Sequence, residues 1–300
     1  MEFNHLIRNA AFDWLSSQAS IHGDVLPRRP LLEEGFLYRG ERVPLVSAQG
    51  IFKPRIMSAP LSITTSPKGP YDDAFSNDGY LLYRYRGTDR FHRDNVGLRN
   101  LMQNQIPLVY FHGIVPGRYL AVWPVFIVAD DPNKLTFKVA VDDIDAIKPE
   151  RAALEVAEND VARRSYLTTT VKQRLHQRDF REKVLQAYQT SCAMCSLKHR
   201  ELLDAAHIIP DHEPGGIPVV TNGLSLCKLH HAAFDSFLIG ITPDFQLIIR
   251  EDLLYEIDGP VLQHGLKNLH KSKLILPHSK EDCPDRDKLA WRYERFESAG

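Results

Sequence analysis

The sequence predicts an α+β protein in which a β-rich first domain is joined by a helical linker to a small, metal-stabilised second domain. Three observations carry this. Strand-like runs bounded by turn residues fill the first half, an Ala/Leu/Val-rich helical stretch follows, and cysteine and histidine pairs at ligand spacing cluster near residue 200. At 300 residues the chain has room for two modest cores, and 43% hydrophobic with 25% charged residues excludes disordered, collagen-like and coiled-coil classes. The expected boundaries are 1–149 for the first domain, 150–178 for the linker and 179–300 for the second domain.

In chain order, Leu6, Ile7, Ala10, Phe12 and Leu15 mark an early helix. Strands are expected at 79–87, 107–114, 119–129 and 135–141, with a short helix at 96–103 between the first two. Together they describe a strongly curved β domain, a barrel in its closed form. Pro149 and Glu150 open a helix that runs to Val161. Thr168, Thr169 and Thr170 interrupt it, and a second helix from Val171 to Tyr188 places Phe180, Val184 and Ala187 on one face. Two further strands are expected at 239–242 and 246–250, and a final helical segment reaches Phe296.

No apolar run approaches the roughly 20 residues of a membrane helix, and the N-terminus lacks a charged start followed by an apolar stretch, so a cytoplasmic protein is expected. Net charge is −1, which excludes a uniformly basic coat. From Arg163 to Arg200, however, nine Lys/Arg stand against two acids. Charge effects reach about 10 Å, so this local excess matters more than the total. It describes a basic arm, including Lys172 and Arg174, that lies along a phosphate backbone.

Four cysteines are too few for a disulfide framework in a cytosolic chain of this size. Cys192-Ala-Met-Cys195 and Cys227-Lys-Leu-His230 each set two ligands one tight turn apart. Together they supply a closed tetrahedral zinc site, with no open position and therefore a structural role. Cys283 is an ordinary thiol.

Between and after these half-sites run Ala205-Ala206-His207-Ile208-Ile209-Pro210, Asn222-Gly223-Leu224 and His231-Ala232-Ala233-Phe234-Asp235. This segment resembles the HNH nucleases, whose ββα-metal fold carries a His, an Asn and a second His in that order. The resemblance covers about Phe180 to Thr242 and implies metal-dependent hydrolysis of phosphodiester bonds in DNA. His207, on a strand, is then the general base, with an ordinary pKa near working pH. Asn222 orients that imidazole or braces the loop. His231 and Asp235, four residues apart on one helical face, hold a catalytic divalent ion, Mg²⁺ or Mn²⁺. Many members carry Asp or His directly before the base, where this chain has Ala206. Asp204 is the nearest substitute, although in a regular strand it shares the face of Ala206 and points away from His207.

In the first half, Pro70-Tyr71-Asp72-Asp73, Asp78-Gly79, Tyr83-Arg84-Tyr85-Arg86-Gly87 and Pro107-Leu108-Val109-Tyr110 follow in an order similar to the SRA domain of the PUA-like group. That resemblance, over about 60 residues, implies a pocket for a flipped, modified cytosine. Tyr71 and Tyr85 would stack on the base and Asp73 would accept from its exocyclic amine. Arg84, Arg86, Arg90, His92 and Arg93 would face the DNA backbone. Arg86 stands where that family often has a small hydroxyl residue, which leaves the choice among methyl, hydroxymethyl and bulkier adducts open.

Joined, these readings describe an endonuclease that cuts double-stranded DNA carrying modified cytosine, in defence against foreign DNA. One site cuts one strand, so a homodimer is expected. Two alternatives stay open: an HNH nuclease gated by a small signal molecule or partner at the first domain, and a zinc-dependent DNA-binding protein without catalysis.

Overall fold

Helix α1 (Glu2–His22) opens the chain in the computed structural model, which describes residues 2–66, 80–142 and 157–299. Its buried residues Ile7, Ala11, Phe12 and Leu15 recur at three- and four-residue spacing, as a one-sided helix requires. The inward face differs from the expected one at two places: Leu6 is exposed and Ala10 half-buried, while Arg8 and Ala11 are buried. Arg8 can be inside because its guanidinium donates to the carbonyls of Pro107 (2.8 Å) and Pro60 (2.5 Å). Burial lowers its pKa to about 10.

The chain divides into two units, 1–175 and 176–300. The first is built on a seven-stranded sheet. Its strands are β1 (Val25–Pro27), β4 (Ile51–Phe52), β5 (Ser62–Thr65), β6 (Leu81–Arg84), β7 (Leu108–Val115), β8 (Arg118–Asp131) and β9 (Thr136–Val141), while β2 (Phe36–Tyr38) and β3 (Glu41–Val43) form a separate hairpin. The order is β4-β5-β7-β8-β9-β6 with β1 beside β8, and only β5 and β7 run parallel. Helix α2 (Arg93–Gln103) lies between β6 and β7 in sequence.

Strands β7 and β8 are near-continuous apolar runs because both faces of the sheet are covered. Val109, Phe111, Tyr119 and Ala121 share a core with Ile7, Phe12 and Leu15 of α1. Their neighbours Leu108, Tyr110, Leu120 and Val122 share the other with Leu98 and Leu101 of α2. Register shifts in the β7–β8 and β8–β9 pairs curl the sheet. The end strands β4 and β6 do not pair with one another among the described residues, so the described strands form a curled sheet and not a closed barrel.

The expected break at Thr168–Thr170 does not occur. A single helix, α3, runs Ala157–Ala187; its expected start at Pro149 falls outside the described residues. The β-branched threonines cost at most about 0.7 kcal/mol each in a helix. Against that, buried Thr168 accepts a hydrogen bond from the Val141 N–H at 3.0 Å, at the end of β9. Leu167, Val171 and Leu175 pack in the first unit's core, and Phe180, Val184 and Leu185 in the second's.

In the second unit β10 (Leu203–His207) and β11 (Gly223–Cys227) pair antiparallel, with Leu203 opposite Cys227 and His207 opposite Gly223. Helix α4 (Lys228–Asp235) follows at once, completing a ββα unit. The hairpin of β12 (Ile239–Ile241) and β13 (Leu247–Ile249) and the short helices α5 (Glu251–Tyr255) and α6 (Pro260–Gly265) come next, and α7 (Arg286–Ala299) closes the chain. A Cβ on Gly240 would lie 2.5 Å from the Phe296 ring, so glycine lets α7 lie directly on β12. No helix among the described residues is long and apolar enough to cross a membrane.

Thr168→Val keeps the shape at 168 but leaves the Val141 N–H without this acceptor. A loss of about 1–3 kcal/mol is expected in denaturant unfolding, and an unchanged midpoint would remove Thr168 as the reason the helix runs through.

Candidate active site

The site is assembled on a ligand cluster. The Cys192–Cys195 turn is tied to β11 by the Ala193 N–H, which donates to the Ser225 carbonyl at 2.7 Å. Cys227 ends β11 and caps α4, and His230 lies in the first turn of that helix. The ligating atoms of Cys192, Cys195, Cys227 and His230 all lie within 4.8 Å of one another. A tetrahedral zinc with bonds near 2.3 Å needs ligand separations of about 3.8 Å, and the donors are of the right kind, so the cluster could hold zinc.

His230 Nδ1 lies 3.4 Å from Cys192 Sγ and 3.2 Å from Cys227 Sγ. Its Nε2 donates to the Gly265 carbonyl at 2.7 Å, which fixes the tautomer that leaves Nδ1 as the ligand. Hydrogen bonding to Cys227 is the main cause that brings the Cys192 thiol down to about 3. The same contact, then burial, pushes Cys227 up.

His207 ends β10, where it stacks on Phe180 with ring centroids 4.1 Å apart and planes inclined by 18°. Its Nε2 is buried with no hydrogen-bond partner among the described residues. Burial lowers the imidazole pKa, His231 adds to that, and Asp211 and Asp235 oppose it. Asn222 does not touch this ring. Its Oδ1 accepts from the Ile209 N–H (3.0 Å), and its Nδ2 donates to the carbonyls of Ile209 (3.0 Å) and Ile217 (3.1 Å). Of its two expected roles, these bonds are those of a brace for the loop after His207.

His231 and Asp235 meet on one face of α4, with Nε2 and Oδ2 3.2 Å apart. That hydrogen bond raises the His231 pKa; burial opposes it. Adjacent ligands of an octahedral ion with bonds near 2.1 Å stand about 3.0 Å apart, so the pair fits one edge of such a site. Among the described residues no third ligating side chain completes a cluster there. Asp204 approaches the other nitrogen of His231, at 3.9 Å, and pairs with Arg181 at 3.3 Å.

Sequence reasoning missed two contributors to this site. Phe180 was placed on an apolar helix face with no link to His207. Arg292, on α7, is buried between the rings of Phe234 (4.6 Å) and Phe237 (4.2 Å). It donates to the Phe234 carbonyl at 2.9 Å and stands 3.8 Å from the Asp235 carboxylate. Nothing in a C-terminal helix signals such a contact, which depends on tertiary packing alone.

The expected base-reading residues fare differently. Tyr71 and Asp73 lie outside the described residues. Tyr85 is a correction: it is 5% exposed, stacked on Phe137 at 4.6 Å, and its hydroxyl is held by Asp130 and by Arg99 (3.1 Å). A ring so packed belongs to the core and offers no face to a base, because β6 alternates and Tyr85 follows Leu81 and Tyr83 inward. Arg86 is paired with Asp94 and Gln49. His92 caps α2 by accepting from the Asp94 N–H (3.2 Å). Arg84, Arg90 and Arg93 are exposed. Lys172 and Arg174 are on α3, and their side chains lie outside the described ones.

Residues 192–242 match the family model described as HNH endonuclease. This is an HNH endonuclease domain. The match spans both cluster half-sites, His207, Asn222, His231 and Asp235, and stops short of Phe180 and Arg292. HNH endonucleases cut DNA and depend on a metal. Among solved structures, one titled a modification dependent TagI restriction endonuclease is 18% identical, with a TM-score of 0.28 over 79% of this chain and 81% of that one. Another, a type IV phosphorothioation-dependent restriction endonuclease ScoMcrA, is 15% identical, with a TM-score of 0.20 over 79% and 56%. Likenesses this distant carry no argument about the present chain. No curated protein matched it.

If the cluster holds zinc as a folding element, Cys227→Ser lowers the metal content of the purified HNH protein, read by elemental mass spectrometry. It also removes the cooperative melting of the second unit, since metal binding is part of its folding free energy. Full zinc content with a normal melting profile would contradict that role.

Proposed function

We propose that the chain is a modification-dependent endonuclease that cleaves double-stranded DNA carrying 5-methyl- or 5-hydroxymethylcytosine, in defence against foreign DNA. The observation that carries the cleavage half is the ββα unit, which brings His207, the Asn222-braced loop and the His231–Asp235 pair onto one ligand-clustered frame. The reading half is supported by the sequence resemblance around Tyr71 and Asp73, with the curled sheet as its scaffold.

In the proposed reaction His207 takes the proton from a water as its oxygen attacks phosphorus. The P–O bond on the opposite side breaks, and the departing oxyanion is protonated by water. His231 and Asp235 would hold one Mg²⁺ or Mn²⁺, which supplies positive charge to the phosphate and the leaving oxygen. The four-ligand cluster, as structural zinc, holds α4 against β11. Asn222 keeps the backbone at Ile208 and Ile209 fixed, so the base strand ends in a defined place. One such site cuts one strand, and a homodimer accounts for double-strand breaks.

The deciding assay uses matched duplexes containing cytosine, 5-methylcytosine, 5-hydroxymethylcytosine or glucosylated cytosine, with Mg²⁺ or Mn²⁺ and His207→Ala as control. Cleavage confined to modified DNA and lost in the variant is expected. Equal cleavage of all four would keep the nuclease and discard the modified-base pocket.

The lowered His207 pKa also sets a pH dependence. A base must be neutral to act, so the acid limb of the cleavage rate is expected below the ordinary histidine value of 6.5. Activity that fades on acidification above 6.5 would assign the limb to another group.

A further inference from the structure

Helix α3 brings an aromatic ring to the nuclease site from outside the segment matched to the HNH family. Phe180 is 3% exposed and lies nearly parallel to the His207 imidazole, with centroids 4.1 Å apart. The approach depends on the residue across the strand pair. His207 stands opposite Gly223, where a Cβ would fall 2.4 Å from Val184 Cγ2 and 2.9 Å from Phe180 Cζ. Glycine at 223 is therefore what allows α3 to come close enough for the ring to reach the histidine.

The imidazole has few other constraints. Its Nε2 is buried without a hydrogen-bond partner among the described residues, and Asn222 spends its amide on the loop. His231 differs: it is held through its nitrogens by Asp235 and approached by Asp204. A histidine usually owes its ring orientation to a hydrogen bond on one nitrogen. At His207 a covered ring face takes that place.

We propose that Phe180 is the positioning residue of the nuclease site, its ring fixing the plane in which the His207 imidazole meets the attacking water. The inference rests on the reading of His207 as the base. Stacking restricts rotation of the imidazole and keeps bulk water from that face, while leaving the ring edge open. A misplacement of the base by about 1 Å costs rate on the order of 100-fold without a change in substrate binding. The effect therefore falls on kcat and not on KM.

The test uses the full chain as wild type, Phe180→Leu and His207→Ala, on the modified duplex cut fastest by the wild type. Phe180→Leu is expected to lower kcat about 10–100-fold with KM for DNA unchanged, while the melting temperature falls only by the modest amount a smaller buried side chain costs. Proton NMR of the histidine ring gives a second measure that needs no DNA. Stacking moves the His207 C–H resonances upfield, and Phe180→Leu returns them to the ordinary range. Phe180→Met serves if the leucine variant does not fold.

A leucine variant that cuts at the wild-type rate, one that loses only KM, or unshifted His207 resonances in the wild type would each overturn the proposal. Cleavage that survives His207→Ala would instead overturn the assignment of the base. The upfield shift would then remain and separate the two failures.

Discussion

Much of the nuclease unit depends on where His230 is pinned. Its two nitrogens face the Cys192 and Cys227 sulfurs on one side and the Gly265 carbonyl on the other. The ring therefore joins the turn before β10, the end of β11 and helix α6. His231 is the next residue on the same helical turn, about 100° around the axis. Fixing His230 inward fixes the direction in which His231 leaves the helix. A cluster that could hold zinc thus orients its neighbour through one peptide bond.

Charge around His231 follows a comparable order. Arg292, Asp235, His231, Asp204 and Arg181 form a row in which each neighbour has the opposite or a titratable charge. The two carboxylates are half-exposed and the guanidinium of Arg292 is buried, with burial lowering its pKa. Arg292 remains charged because it also caps the C-terminal carbonyls of α4 and lies between two aromatic faces. The end of α4 is thereby closed by a residue of α7 more than fifty positions later in the chain.

The parts of this site legible in the sequence are those written as local spacing. Cys192-x-x-Cys195 and Cys227-x-x-His230 prescribe the cluster, and His231 with Asp235 prescribes a helical face, because each pair spans a single turn. Strands β6 to β9 and the hairpin of β12 and β13 were legible from their apolar runs, whereas β1 to β5, of two to four residues each, were not. Phe180 and Arg292 reach the site from elements whose packing no short pattern encodes. At Thr168 local propensity pointed to a break, and a tertiary hydrogen bond to Val141 overrode it. Tyr85 shows the reverse: the resemblance assigned it to a base, whereas the alternation of Leu81, Tyr83 and Tyr85 is that of a core strand.

The two units meet in sequence at Leu175 and His176, within an unbroken helix. Modularity is constrained by that fact. A nuclease cut out at His176 would begin with a helix end that the full chain does not have, the amides of 176–179 losing their intrahelical partners directly before Phe180. The stacked ring over His207 would then hang on a fraying turn, so a fragment that keeps it carries at least one more turn of α3 ahead of His176.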